Sequence, residues 1–162
     1  MVVGRAIEKE IIEFLRSKGL VITPATVGED MHDKVDAWII WNGKREAVQI
    51  KFREGGNDVI FEILRDFDKM LPGRDMVSKA SIYIIMDTHH TIRMFRVEDL
   101  KAKAQALQDY VYQDLEHFPR KTAWGKPNHC SVKITIDRAS QQRKLMAYFN
   151  PAMLNVLGTW QK

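Results

Sequence analysis

The 162 residues contain one cysteine, Cys130, so no internal disulfide can form, which suits a reducing compartment. No run of about 18 uncharged apolar residues occurs, and no membrane span is expected. There is no internal repeat and no low-complexity tract. The opening Met1-Val-Val-Gly-Arg-Ala-Ile-Glu-Lys-Glu enters a charged amphipathic pattern directly, without the apolar core of a signal peptide. The expected location is therefore the cytoplasm. Acid is scarce in the last quarter, where residues 117–162 hold Asp137 alone against 8 Lys/Arg.

What is present is ordinary for a soluble globular chain: 45% hydrophobic and 28% charged residues. The length fits one domain, or one domain with a small appendage. The net charge of +4 is unevenly distributed. Residues 1–116 carry 17 Lys/Arg and 20 Asp/Glu, a balance of −3, while residues 117–162 have a balance of +7. The expected organisation is a core over 1–116 and a basic C-terminal extension over 117–162, packed on the core. Segregated positive charge is a footprint for a polyanion, usually nucleic acid. A solvated basic surface without a partner is the other reading.

The periodicity predicts a helix over 5–18, stopped by Gly19, with Ile7, Ile11, Ile12, Phe14 and Leu15 on one face. Glu8 projects inside that apolar arc. A carboxylate there must be paired, bind a metal, or lie at the rim of a cleft. A short strand at 20–23, a polar loop at 26–33, a hairpin over 34–52 and a glycine-rich turn at 53–58 follow. Residues 59–71 read as an amphipathic helix. Strands are expected at 80–86 and 92–97, a long helix at 98–116, a strand at 131–136 and a short helical stretch at 141–149. Helices and strands alternate too irregularly for a doubly wound sheet. The predicted class is α/β of the α+β type, a mixed β-sheet flanked by helices.

Asn42-Gly43 between two β-rich runs is a strong hairpin signal, because a type I′ turn needs positive φ at both central positions. The turn sets a register in which Trp41 faces Lys44, Ile40 faces Arg45, and Asp36 faces Gln49. Lys51 is then a diagonal neighbour on the same face. A carboxylate, an amide oxygen and an ammonium are thus expected together, at the end of a face shared with Trp38, Ile40 and Ala47. That end is either a polar solvent edge or a cleft.

These parts carry a resemblance. The helix with an inward Glu (Gly4-Arg-Ala-Ile-Glu8), the strand opening on Val35-Asp36 and the antiparallel strand with Gln49-Ile50-Lys51 resemble the PD-(D/E)XK nuclease superfamily. The pattern is a Gln-x-Lys variant, similar to phage and homing endonucleases and to Holliday junction resolvases. Two positions depart from it: Lys34-Val35 stands where a Pro often precedes the Asp, and Gln49 where Asp or Glu is usual. The resemblance implies a restriction-endonuclease-like core and a Mg²⁺-dependent DNA endonuclease, with Mn²⁺ as the substitute metal. It would be site-specific in the homing or phage manner, with a Holliday junction resolvase as the alternative. The implied catalytic residues are Glu8, Asp36, Gln49 and Lys51. Asp36, the Gln49 side-chain oxygen, the Ile50 carbonyl and Glu8 would hold the metal. Lys51 would hold the attacking water or steady the pentavalent phosphate.

Arg53 continues the Lys51 face. Arg120, Lys121, Lys126, Lys133, Arg138, Arg143 and Lys144 supply further cations, interleaved with Trp124, Tyr148 and Trp160. They are candidate contacts to double-stranded DNA, with cations positioning phosphates and the aromatics either stacking on bases or serving the core. A single site cuts one strand, so duplex cleavage calls for a homodimer or higher homo-oligomer. The apolar residues of 149–157 are candidates to meet a second subunit. Asp33 is a further candidate acid. A non-catalytic DNA-binding protein on a nuclease-like scaffold stays open because Gln49 is neutral, and a toxin or RNA-directed nuclease is a third reading.

Overall fold

Apolar residues spaced three and four apart build the first helix, α1 (Val2–Ser17), and Gly19 follows it with φ 92°. This computed structural model describes residues 2–126 and 130–162. In chain order there follow β1 (Val21–Pro24), α2 (Val27–Asp33), β2 (Ala37–Trp41), β3 (Lys44–Phe52), β4 (Val59–Asp66), β5 (Leu71–Pro72) and α3 (Arg74–Val77). Next come β6 (Ile82–Met86), β7 (Thr91–Arg96), α4 (Val97–Leu115), β8 (Ala123–Lys126), β9 (Cys130–Ile136), β10 (Arg143–Phe149) and β11 (Val156–Gln161). The class is α+β, with two sheets and flanking helices. Among the described residues no helix is long and apolar enough to cross a membrane. The chain divides into two compact units. One comprises Met1–Asn57, Ser78–Val97 and Asn155–Lys162, and the other Asp58–Val77 and Glu98–Leu154. Both are discontinuous, unlike the single cut at 116/117 read from charge.

The first unit holds a mixed six-stranded sheet in the order β1-β2-β3-β6-β7-β11, antiparallel except for the parallel pair β3–β6. The Asn42-Gly43 turn has the expected positive φ at both residues, 51° and 78°. The hairpin register runs as read from Trp41–Lys44 to Ala37–Val48. Ile11, Ile12 and Leu15 of α1 join Ala37, Val48, Ile50, Ile82 and Ile84 in one apolar cluster. Ile11 and Leu15 are fully buried, which contributes about 1.5–3 kcal/mol each. Glu46, on the Val48 face of β3, is buried and accepts two hydrogen bonds from Arg96, at 2.6 and 2.7 Å.

The second unit holds an antiparallel five-stranded sheet in the order β5-β4-β10-β9-β8. Two helical expectations fail here. Residues 59–66 are strand β4, and residues 143–149 are strand β10. The physical reason is a period of two hidden in short apolar runs: Val59, Phe61 and Ile63 on one strand and Leu145, Ala147 and Phe149 on the other are all buried. The two strands pair with each other, and Phe61 meets Phe149 edge-on at 6.4 Å. Gly73 is obligatory after β5, because a Cβ there would lie 2.2 Å from the Glu62 carbonyl oxygen.

The linear segregation of charge does not carry into the units. The second unit contains 12 Lys/Arg and 11 Asp/Glu, and the first 13 and 10. Residues 58–77 bring acids to the basic C-terminal strands. Lys144 lies 2.9 Å from Glu62 and 3.6 Å from Asp137, Arg143 pairs with Asp68, and Lys121 pairs with Asp114 at 3.1 Å. The segment 149–157 is also used within the chain: Phe149 is buried, and Leu157 packs on the α1 cluster. Both tryptophans serve cores. Trp124 is buried and its indole N–H donates to Asp114 at 2.6 Å, while Trp160 packs with the α1 cluster.

Candidate active site

The regular hairpin ladder ends one residue before Asp36. Its N–H donates to the Val48 carbonyl at 2.8 Å, whereas a continued register would set Asp36 opposite Gln49 in a pair without mutual hydrogen bonds. The Asp36 carboxylate then takes over a backbone role, accepting the Ile50 N–H at 2.7 Å. Ile50 therefore meets Asp36 through its amide. Only 9% of Asp36 is exposed.

Asp36 lines a cavity of about 340 Å³ with residues of α1 and α2. Glu8 and Asp30 line it too, and Arg5, Lys9 and Arg16 stand at the same cavity. Glu8 and Asp36, expected together from the sequence, both line it, and Asp30 joins them from α2, where a polar loop is expected. The signal was present: Thr26-x-x-Glu29 is a capping box, an N-terminal helix signature. Glu29 Oε1 accepts the Thr26 N–H at 2.8 Å, and the Glu29 N–H donates to Thr26 Oγ1 at 3.2 Å. The other carboxylate oxygen, Oε2, accepts the Trp38 indole N–H at 2.9 Å and so ties α2 to β2. The Thr26 amide, as the main influence, holds the Glu29 carboxyl below its ordinary range. Asp33, a further candidate acid in the sequence, pairs with Lys79 at 3.1 Å.

Burial pushes the Asp36 carboxyl up to about 7, against the pull of the Ile50 amide. A hydrogen bond with Asp30, and the charges of Glu8 and Asp30, push in the same direction.

The described lining of the cavity does not include Gln49, Ile50 or Lys51. Gln49 and Lys51 share the opposite face of β3 from Val48 and Ile50, paired with Tyr83 and Ile85 of β6. Gln49 is 2% exposed and its Oε1 is buried without a hydrogen-bond donor, although the residue makes other polar contacts. Lys51 Nζ lies 5.8 Å from the Tyr83 ring centroid. Arg53 is half-buried in the turn after β3, with a guanidinium N–H donating to the Glu54 carbonyl at 3.0 Å. Of the C-terminal cations, Arg120, Lys133 and Arg138 are exposed, Lys121, Arg143 and Lys144 are ion-paired, and the Lys126 side chain lies outside the described residues.

Mg²⁺ prefers hard oxygen ligands and usually takes one or two carboxylates, filling its octahedron with water and substrate oxygens. Among the described residues no three His, Cys, Asp or Glu side chains are grouped closely enough to hold a metal ion. Asp30, Asp36 and Glu8 are the oxygen donors on the cavity wall that a two-carboxylate site would draw on. No protein-family model, no curated protein and no solved structure matches the chain.

Proposed function

We propose that the protein is a metal-dependent endodeoxyribonuclease, hydrolysing phosphodiester bonds with Mg²⁺, and that its centre is Asp36. The observation that carries this reading is the buried Asp36 carboxylate, fixed by the Ile50 amide and lining a cavity whose wall also holds Glu8, Asp30, Arg5 and Lys9. A bound divalent cation would polarise the phosphate and lower the pKa of a bound water. Asp36 and Asp30 would hold that cation. Glu8 supplies negative charge that the neutral Gln49 does not. Arg5 and Lys9 reach the same cavity from α1 and would draw in the phosphate backbone. In the hydrolysis, water oxygen bonds to phosphorus, the ester P–O bond breaks, and the departing alkoxide takes up a proton. The resemblance assigns the developing phosphorane charge to Lys51, but Lys51 lies outside the described lining of the cavity, so Arg5 and Lys9 are the proposed cations for it. The succession α1, β1, β2, β3 and a strand parallel to β3 supports the nuclease-like reading of the first unit.

Site-specific cleavage in the homing or phage manner is the preferred form, and junction resolution is the alternative. Neutral Gln49 favours one further reading, a DNA-binding protein without catalysis on the same scaffold. Incubation with Mg²⁺ and two DNAs, a long mixed-sequence duplex and a four-way junction, separates the three. Discrete duplex fragments are expected, and resolved junctions alone would indicate a resolvase. Binding of both DNAs with neither cut would refute the catalytic reading. A matched RNA duplex tests the choice of nucleic acid.

A further inference from the structure

Ser78, in the segment leading into β6, is only 2% exposed, and the proposed chemistry makes no use of it. Its hydroxyl donates to the Lys34 carbonyl at 3.2 Å, across 44 residues of chain. The same oxygen accepts the Ala80 N–H at 3.2 Å, which turns the hydroxyl proton toward Lys34. The next residue grips the same link: the Lys79 N–H donates to the Asp33 carbonyl at 3.1 Å, and its ammonium pairs with the Asp33 carboxylate. Asp33 and Lys34 join α2 to the strand that carries Asp36. Lys34 there takes the left-handed conformation (φ 57°), which a lysine keeps only where its surroundings impose it. We propose that Ser78 is a positioning residue for Asp36: by holding the Lys34 carbonyl it fixes the α2–β2 link, and with it the place of the Asp36 carboxylate at the cavity. This rests on the nuclease reading and adds a residue that touches neither metal nor DNA. The chain on either side of the link has its own anchors. The Thr26–Glu29 box and the Trp38 indole fix α2, while the Asp36 N–H donates to Val48 and its carbonyl accepts the Ala25 N–H at 3.0 Å. The strained Lys34 peptide between them is where the chain can give, and Ser78 is the side chain that holds it.

The Ile50 N–H, which donates to the Asp36 carboxylate, reports that carboxylate's place directly. The test is amide hydrogen exchange by NMR on the full chain without metal, wild type against Ser78→Ala, with DNA cleavage in Mg²⁺ measured separately. Ser78→Ala is expected to speed exchange at Ile50 by about tenfold relative to Ile11 and Leu15 of α1, the order of one weakened hydrogen bond. Its kcat should fall by about tenfold to a hundredfold with KM unchanged, because a reacting group is displaced while DNA binding is kept. Ser78→Cys, a weaker donor of similar shape, should show the same pattern in smaller measure, and it carries the test if the alanine variant does not fold. Exchange at Ile50 that keeps the wild-type rate, or rises only in step with Ile11 and Leu15, would overturn the proposal and leave the nuclease reading standing. Full cleavage by Ser78→Ala would do the same. Absence of cleavage by wild type, with the Ile50 effect intact, would remove the nuclease reading and keep the positioning of Asp36.

Discussion

Replacing Asp36 with Asn should stabilise the metal-free protein while destroying its activity. The amide keeps an oxygen for the Ile50 N–H and places a donor toward Asp30, mimicking the protonated acid. Wild-type Asp36 binds a proton more tightly in the folded chain than in the unfolded one. Its contribution therefore favours folding least at high pH: stability falls as pH rises from the ordinary value of 3.8 toward about 7, and levels off above that. At about 1.4 kcal/mol per pH unit, the gap between those two values makes the ionised carboxylate cost about 4 kcal/mol. Urea denaturation in EDTA at pH 4, 6 and 8 reads this directly. Asp36→Asn and wild type should be nearly equal at pH 4, and the variant should be ahead by about 4 kcal/mol at pH 8. Saturating Mn²⁺ should narrow the gap by raising wild type alone. A difference that does not grow between pH 4 and 7, or a variant less stable at pH 8, would refute the account of a buried, like-charged pair.

Gly73→Ala should lower stability by about 1–3 kcal/mol, because its Cβ would meet the Glu62 carbonyl; an unchanged urea midpoint would contradict this. The C-terminal cations should divide into two groups. Lys144→Ala removes the partner of Glu62, which holds the Lys144 ammonium above its ordinary range, and should cost about 1–2 kcal/mol of stability. Arg120→Ala and Arg138→Ala, at exposed turns, should leave the urea midpoint unchanged and lower the salt slope of DNA binding by about one each. Gln49→Glu buries a new charge and should fall behind wild type by about 1–3 kcal/mol more at pH 8 than at pH 5; a gap to wild type that does not change with pH would show that the position tolerates an ionised acid.

The parts legible in the sequence were those with local causes. Asn42-Gly43 dictated a turn and a register that extends to Ala37–Val48, and the α1 periodicity placed its buried residues. At Asp36 the reading stopped being local. Nothing in the pattern signals that its N–H turns to Val48 while its side chain takes the Ile50 amide. β4 and β10 were misread because Ile60, Ile63, Leu64 and Phe67 also satisfy a helical stripe. What selects the strand is a partner far away in sequence, as the Leu145–Leu64 and Phe149–Val59 pairs make plain. The C-terminal charge excess was real in the sequence and is balanced in the fold by acids from 58–77, again a long-range pairing. Asp30 was legible in principle, through the capping box that the polar-loop reading passed over.

The most direct test of the central claim is cleavage of duplex and four-way-junction DNA by wild type and Asp36→Asn, in Mg²⁺ and in EDTA. The account predicts cut products from wild type in Mg²⁺ only, and none from an Asp36→Asn protein that is folded and still binds DNA. Cleavage by Asp36→Asn at the wild-type rate, or by wild type in EDTA, would contradict it.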